Sequence, residues 1–341
     1  MTERSRTSDF IKGVAIIAMI QVILMEAFAK QHIMDSIVGK ISLFLGGPTT
    51  APVFLSVMGY YIAHQKHNFR YNMDRGFRLI LIGILLNMGD SLMLWLQPQH
   101  TMVLSDFFHF LMGVDILVLA GISLLIMTVL IALFRGIVPV FLFLIFVVLL
   151  IPYVLPSVAQ THPHSLWLPF IYGKYANSYF PLLPWFAYVL AGYAFYQFKQ
   201  YFVSDEFKHS QTVKIILLVL SGVILLTTAP FGFNVSIKRI LYSHHGILFF
   251  LFCVNFVFWW LLSARAIVYL VNNRITQYVA WLGKNVTAFY VFFMLLVGNL
   301  SVFFHKTQGY LELILWFAGF MIVTSFLVLL WRRLNSPQKI L

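Results

Sequence analysis

The chain has 341 residues, of which 61% are hydrophobic and only 10% charged, and a formal net charge of +12. A soluble domain is roughly half apolar and about a quarter charged, so this composition, with a mean hydropathy of +0.88, excludes an ordinary soluble fold and points to an all-α polytopic membrane protein. The basic residues are scattered between apolar runs, which excludes a nucleic-acid-binding face, and the lone cysteine, Cys253, excludes an internal disulfide and a cysteine-rich metal site.

Apolar runs fall at about 13–29, 42–63, 79–96, 108–133, 137–156, 180–198, 213–230, 246–264, 279–303 and 311–331. Each is near the length a membrane-crossing helix needs, so a bundle of about ten transmembrane helices is expected. No small-residue cleavage signal follows the first run, so it should remain as a span. With both termini cytoplasmic, most of the Lys and Arg fall on the inner side. Lys30, Lys40, Lys174, Lys238, Arg239 and Lys306 stay outside. That bias follows the positive-inside rule. It suits one integral domain over residues 1–341, multi-pass in the inner (cytoplasmic) membrane. A homodimer is neither required nor excluded.

Candidate residues follow in chain order. On a first-run helix, Lys12, Ile23 and Glu26 share a face, because eleven and fourteen residues are close to whole turns. Glu26 near the outer end suits a general base. It is also four residues from Lys30, a spacing that makes a helical ion pair. Arg75 and Arg78 sit one turn apart where the third run begins. Their forked, always-charged side chains suit phosphates, and they also suit membrane anchoring.

Asp106 and His109 precede the fourth run on the outer side. Asp106 fits a helix cap, and His109 fits a neutral base that could face Glu26. Asp115 is placed more deeply, so it must pair, stay protonated or face water, as must Asp90. His162 and His164 lie in the longest outer loop. Trp185 and Tyr188 fit an interfacial aromatic belt, or Trp185 a sugar-stacking wall. The neighbouring His244 and His245 diverge by about 100° on a helix, so a substrate contact suits them better than a shared metal. With no His-Glu-x-x-His pattern, no metal is expected. Asn285 and Thr287 fit interhelical hydrogen bonds, and Lys284 suits a phosphate near the cytoplasm.

Four segments belong together: Arg6-Thr-Ser-Asp9-Phe-Ile-Lys12-Gly13; Ala51-Pro52-Val-Phe-Leu-Ser56-Val-Met-Gly59-Tyr60; Phe180-Pro181-Leu-Leu-Pro184-Trp185 through Gly192; and Leu282-Gly283-Lys284-Asn285-Val-Thr287-Ala-Phe-Tyr290. In order and spacing they resemble the catalytic domain of heparan-α-glucosaminide N-acetyltransferase and its bacterial relatives. They resemble, more distantly, the acyltransferase-3 family, which carries a similar arginine pair near Arg75 and Arg78.

The resemblance implies transfer of an acyl group, usually acetyl, from cytoplasmic acyl-CoA (acetyl-CoA) to a sugar or glycan, often on the far side of the membrane. It implies Lys12, Arg75, Arg78 and Lys284 as the acyl-CoA contacts. Glu26, His109 and Asp106 are the candidate catalytic groups, and Trp185, His244, His245 and Asn285 the candidate acceptor contacts. The family pattern has Arg where this chain has Lys12 and His where it has Ile23. Phe292 and Phe293 follow Tyr290, where the family often has His. A non-catalytic transporter or lipid- or glycan-handling protein on the same scaffold is therefore the alternative.

Overall fold

The computed structural model describes residues 6–65, 68–90, 92–96, 111, 113–134, 138–154, 168–172, 178–204 and 210–335. Among these residues the longer helices are α1 (Arg6–Phe28), α2 (Ile37–Thr49), α3 (Ala51–Gln65), α4 (Phe69–Asp90), α5 (Ile116–Phe134) and α6 (Val138–Val154). They continue as α7 (Leu182–Tyr201), α8 (Gln211–Ser236), α9 (Ile247–Leu270), α10 (Arg274–Lys284), α11 (Val286–Phe304) and α12 (Tyr310–Asn335). Strand-like pairing among them is confined to two isolated bridges, Ala29 with Gln308 and Val114 with Ser178.

Among the described residues, seven helices are long and apolar enough to cross a membrane, counting α2 and α3 as one. The sequence suggests about ten. Those with a run but not the full apolar length are α4, α6 and α7. The first turns of α4 carry Arg70, Asp74, Arg75 and Arg78, α6 has only 17 residues, and α7 is diluted by Tyr and Gln. The outer flanks of several helices fit lipid contact: Leu226 is 78% and Ile322 is 70% exposed, against side chains that water would disfavour.

Local chemistry sets the helix boundaries. The stretch Gly46-Gly47-Pro48-Thr49-Thr50-Ala51-Pro52 breaks the second run at Thr50, because two prolines remove backbone donors within one turn. Ser36 and Ser210 cap α2 and α8 through their hydroxyls. Asn273 and Thr276 form a reciprocal capping box at α10. The ninth apolar run, 279–303, is divided: α10 ends and α11 begins at Asn285, whose backbone leaves the helical region.

Glycines let particular helices approach backbone to backbone, as small residues do in membrane bundles. A Cβ on Gly192 of α7 would lie 1.9 Å from the Ser56 carbonyl oxygen of α3, and one on Gly59 would lie 2.0 Å from that of Val189. Gly13 of α1 and Gly283 of α10 make the same kind of crossing, against Val279 and Asp9. Around the first crossing lies a core with Trp185, Tyr188, Tyr193 and Phe250 at its centre. A second core joins α1, α11 and α12 through Phe28, Phe289, Phe293 and Phe320.

Candidate functional site: a basic-mouthed cavity

A cavity of about 650 Å³ opens at the end of the bundle where α1 begins. Four basic residues from four helices line it: Arg75 of α4, Lys284 of α10 and Arg332 of α12, all exposed at its mouth, and Lys12 of α1, which is buried. Tyr61, Tyr71 and Trp331 also line it, as do the apolar side chains of Phe54, Leu79, Ile116 and Leu117.

Lys12 is buried. Its Nζ lies 2.8 Å from Asp9 Oδ1 and 6.0 Å from the centre of the Tyr61 ring. Burying a charge costs heavily unless it is paired, and Asp9, one turn earlier on α1, supplies the pair. Arg75 is exposed at the mouth. Arg78 does not line the cavity: it is exposed and approaches Asp74 at 3.9 Å, in a pair open to water on both sides.

The break at Asn285 shapes one wall. Asn285 Nδ2 donates to the Trp281 carbonyl at 2.8 Å, and α11 then starts without a side-chain cap. Its first residues, Val286, Thr287 and Ala288, line the cavity together with Lys284 and Asn285. A helix start carries partial positive charge and outward amides. Here it adds to the field of the four cations.

Tyr290 joins the cavity wall to Asp115. Tyr290 is buried on the cavity wall, and its hydroxyl donates to Asp115 Oδ2 at 3.3 Å. The other carboxylate oxygen accepts from the Val118 amide at 2.9 Å, which caps α5. Gly83 of α4 approaches Asp115 and Val118. It lies eight residues beyond Arg75, about 12 Å along the helix.

The remaining expected site residues lie elsewhere. Asp106, His109, His162 and His164 fall outside the described residues. Glu26 sits near the far end of α1, about 21 Å beyond Lys12 by helix rise. It is accessible to solvent yet walled by protein, within reach of the charge on Arg239. The expected helical pair with Lys30 is not made: α1 ends at Phe28, and the Lys30 amide bonds the Gln308 carbonyl instead. Met19 lines the cavity, and Ile23, one turn further, packs in the core between it and Glu26.

Trp185 is fully buried, and its indole N–H donates to the Ser243 carbonyl at 2.9 Å. His245 is buried as well, with Nδ1 donating to the Tyr242 carbonyl at 2.7 Å and Nε2 accepting from the Tyr188 hydroxyl at 2.9 Å. His244 ends the short helix Arg239–Ser243, and its amide bonds the Ile240 carbonyl. Arg239 lies 4.3 Å over the ring of Tyr179. Among the described residues no three His, Cys, Asp or Glu side chains gather as metal ligands do.

Neither Arg332 nor Tyr61 belongs to any of the four motif segments. For Tyr290 a signal existed, since it closes the fourth motif.

The fold and this site define a multi-pass helical membrane protein with a cavity lined by both basic and apolar side chains. The family model for heparan-alpha-glucosaminide N-acetyltransferase, catalytic, matches residues 4–224. That is more than half of the chain, which belongs to this family of membrane acetyltransferases. The match covers Lys12, Arg75 and Asp115, whereas Lys284, Tyr290 and Arg332 lie beyond it. No curated protein matches the chain.

Proposed function

We propose that this protein takes an acyl group, acetyl in the first instance, from acyl-CoA on the cytoplasmic side and passes it to a sugar or glycan. One observation carries the reading: Lys12, Arg75, Lys284 and Arg332 line one cavity together with apolar side chains such as Phe54, Leu79 and Leu117. CoA matches both, with phosphates at one end and an uncharged thioester arm at the other. Arginine and lysine with an open helix start suit the phosphates. The apolar walls suit the arm and keep water from the thioester.

We read the chain as one domain crossing the inner membrane ten times, with α4, α6 and α7 as the three less apolar spans and both termini cytoplasmic. The basic mouth then faces the cytoplasm, where acyl-CoA is found. Glu26, with Asp106 and His109, belongs on this reading to the far side, where the acceptor is bound. Trp185, His244 and His245 support that side as its framework, and Asn285 shapes the cavity wall.

The test is acetyl-CoA binding and CoA release by the purified protein, in wild type and in Arg75→Ala. Binding that weakens in the variant supports the reading; a wild type that does not bind acetyl-CoA overturns it. Ile23, in place of the family's His, favours a second reading, a transporter or lipid- or glycan-handling protein. Binding of acetyl-CoA without any release of CoA would select it.

A further inference from the structure

The chain lacks the family's span-one histidine, so a transferase reading needs another group to move protons beside the thioester. Resting on that reading, we propose that Tyr290, held by Asp115, is the proton-transferring catalytic residue of this protein.

Three features of the geometry support it. First, Tyr290 is on the wall of the cavity that carries the basic mouth, about 7.5 Å along α11 from the break at Asn285. Tyr290 therefore lines the cavity more than one helical turn beyond Lys284, on the same wall. Second, the two Asp115 oxygens have different partners. Oδ1 is fixed by the Val118 amide at 2.9 Å, while Oδ2 is turned to Tyr290. Third, the Tyr290 contact of 3.3 Å is longer than a fully formed O–H···O bond, which is about 2.7–2.8 Å. A hydroxyl held this loosely can exchange partners. A cap alone would need only Oδ1 and would not require a carboxylate deep among apolar residues, where ionisable groups are costly.

The step balances without any further reagent. The acceptor O–H or N–H attacks the thioester carbonyl carbon. Its proton passes to Tyr290 Oη as the Tyr290 proton passes to Asp115 Oδ2. The new C–O or C–N bond forms, and the C–S bond breaks with its electron pair on sulfur. The thiolate then takes the proton back from Asp115 through Tyr290, leaving free CoA and a regenerated dyad. A phenol can play both parts because it donates and accepts. Asp115 is a positioning residue that orients the hydroxyl and stores the proton.

The experiment measures CoA release from acetyl-CoA, with water or glucosamine as acceptor, beside the Kd for acetyl-CoA. The expected result in Tyr290→Phe is a fall in kcat of about 100-fold or more, the usual weight of positioned acid–base catalysis, with Kd changed less than about threefold. Asp115→Asn keeps an oxygen for the Val118 amide and reads the dyad from its other side; its kcat should fall at least about tenfold at unchanged Kd. Unchanged kcat in Tyr290→Phe overturns the proposal. So does a Kd that weakens as much as turnover falls, which makes Tyr290 a binding wall. A wild type that does not bind acetyl-CoA instead overturns the functional reading itself.

Discussion

The Tyr188 hydroxyl and His245 Nε2 share a 2.9 Å hydrogen bond in the core between α7 and the turn that starts α9. His245 Nδ1–H is committed to the Tyr242 carbonyl, so the ring is held as one neutral tautomer, and Tyr188 must be the donor. This pair joins two distant parts of the chain inside an aromatic cluster with Trp185 and Phe249.

His245 lies in a turn outside the spanning helices, and burial pushes its imidazole from the ordinary 6.5 down to about 4, against the upward pull of the Tyr242 carbonyl. Between those values the unfolded chain binds a proton that the folded chain refuses. Stability is therefore full above about pH 6.5 and declines as pH falls toward 4. Thermal melts in detergent at pH 7.5 and 5.0 should show this decline, and it should be smaller in His245→Gln. An equal decline in the variant would remove His245 as its source. Tyr188→Phe leaves Nε2 buried without a donor and should cost about 1–3 kcal/mol.

The glycine crossings make a sharper packing test. In Gly192→Ala the new methyl meets the Ser56 carbonyl oxygen at 1.9 Å, so backbones must part. A loss of about 1–3 kcal/mol is expected from overpacking, seen as a lower melting temperature. Gly319 has nothing within 4 Å of its would-be Cβ. Gly319→Ala should be neutral or stabilising by up to about 1 kcal/mol, since alanine favours helix. Equal melting temperatures for the two variants would contradict the crossing.

Arg75 and Arg78 separate binding from anchoring. Arg75 lines the cavity, whereas Arg78 faces water beside Asp74. Arg75→Ala and Arg332→Ala should each weaken acetyl-CoA binding about tenfold or more, the worth of one charge-assisted hydrogen bond. Arg78→Ala should change it less than about twofold, because an exposed pair contributes little. Titration by calorimetry decides, and a larger effect from Arg78 would move the phosphate site outward.

Glu26 is separated from the cavity by Met19 and Ile23 on the same face of α1. Glu26→Gln should leave the Kd for acetyl-CoA within about twofold while weakening binding of an added sugar acceptor by about tenfold, the worth of one charge-assisted hydrogen bond. A weakened acetyl-CoA Kd would show that the cavity extends to Glu26.

Much of the architecture is readable along the chain because lipid demands long apolar runs. The helices follow the expected runs, and Pro48, Pro52 and Asn285 supply breaks inside two of them. Lateral neighbours are harder. Nothing in a linear pattern says that α12 returns Arg332 to Lys12, or that Asp115 meets Tyr290 at a separation of 175 residues. Gly13, Gly59, Gly192 and Gly283 were visible as motif residues. Their role became plain only as pairs, because a close approach belongs to two helices at once.

The break at Asn285 has a mechanical side. On one part of the cavity rim, α10 is locked to α1 through Gly13 and Gly283, so Lys12 and Lys284 ride on one stiff jaw. Arg75 rides on α4, which packs chiefly on α5. A polyanion gripped by both would act as a clasp between two jaws, and its departure would release them. The first turn of α11 follows the stiff jaw, while its helix packs on both α1 and α4, and it is where such a release would be felt.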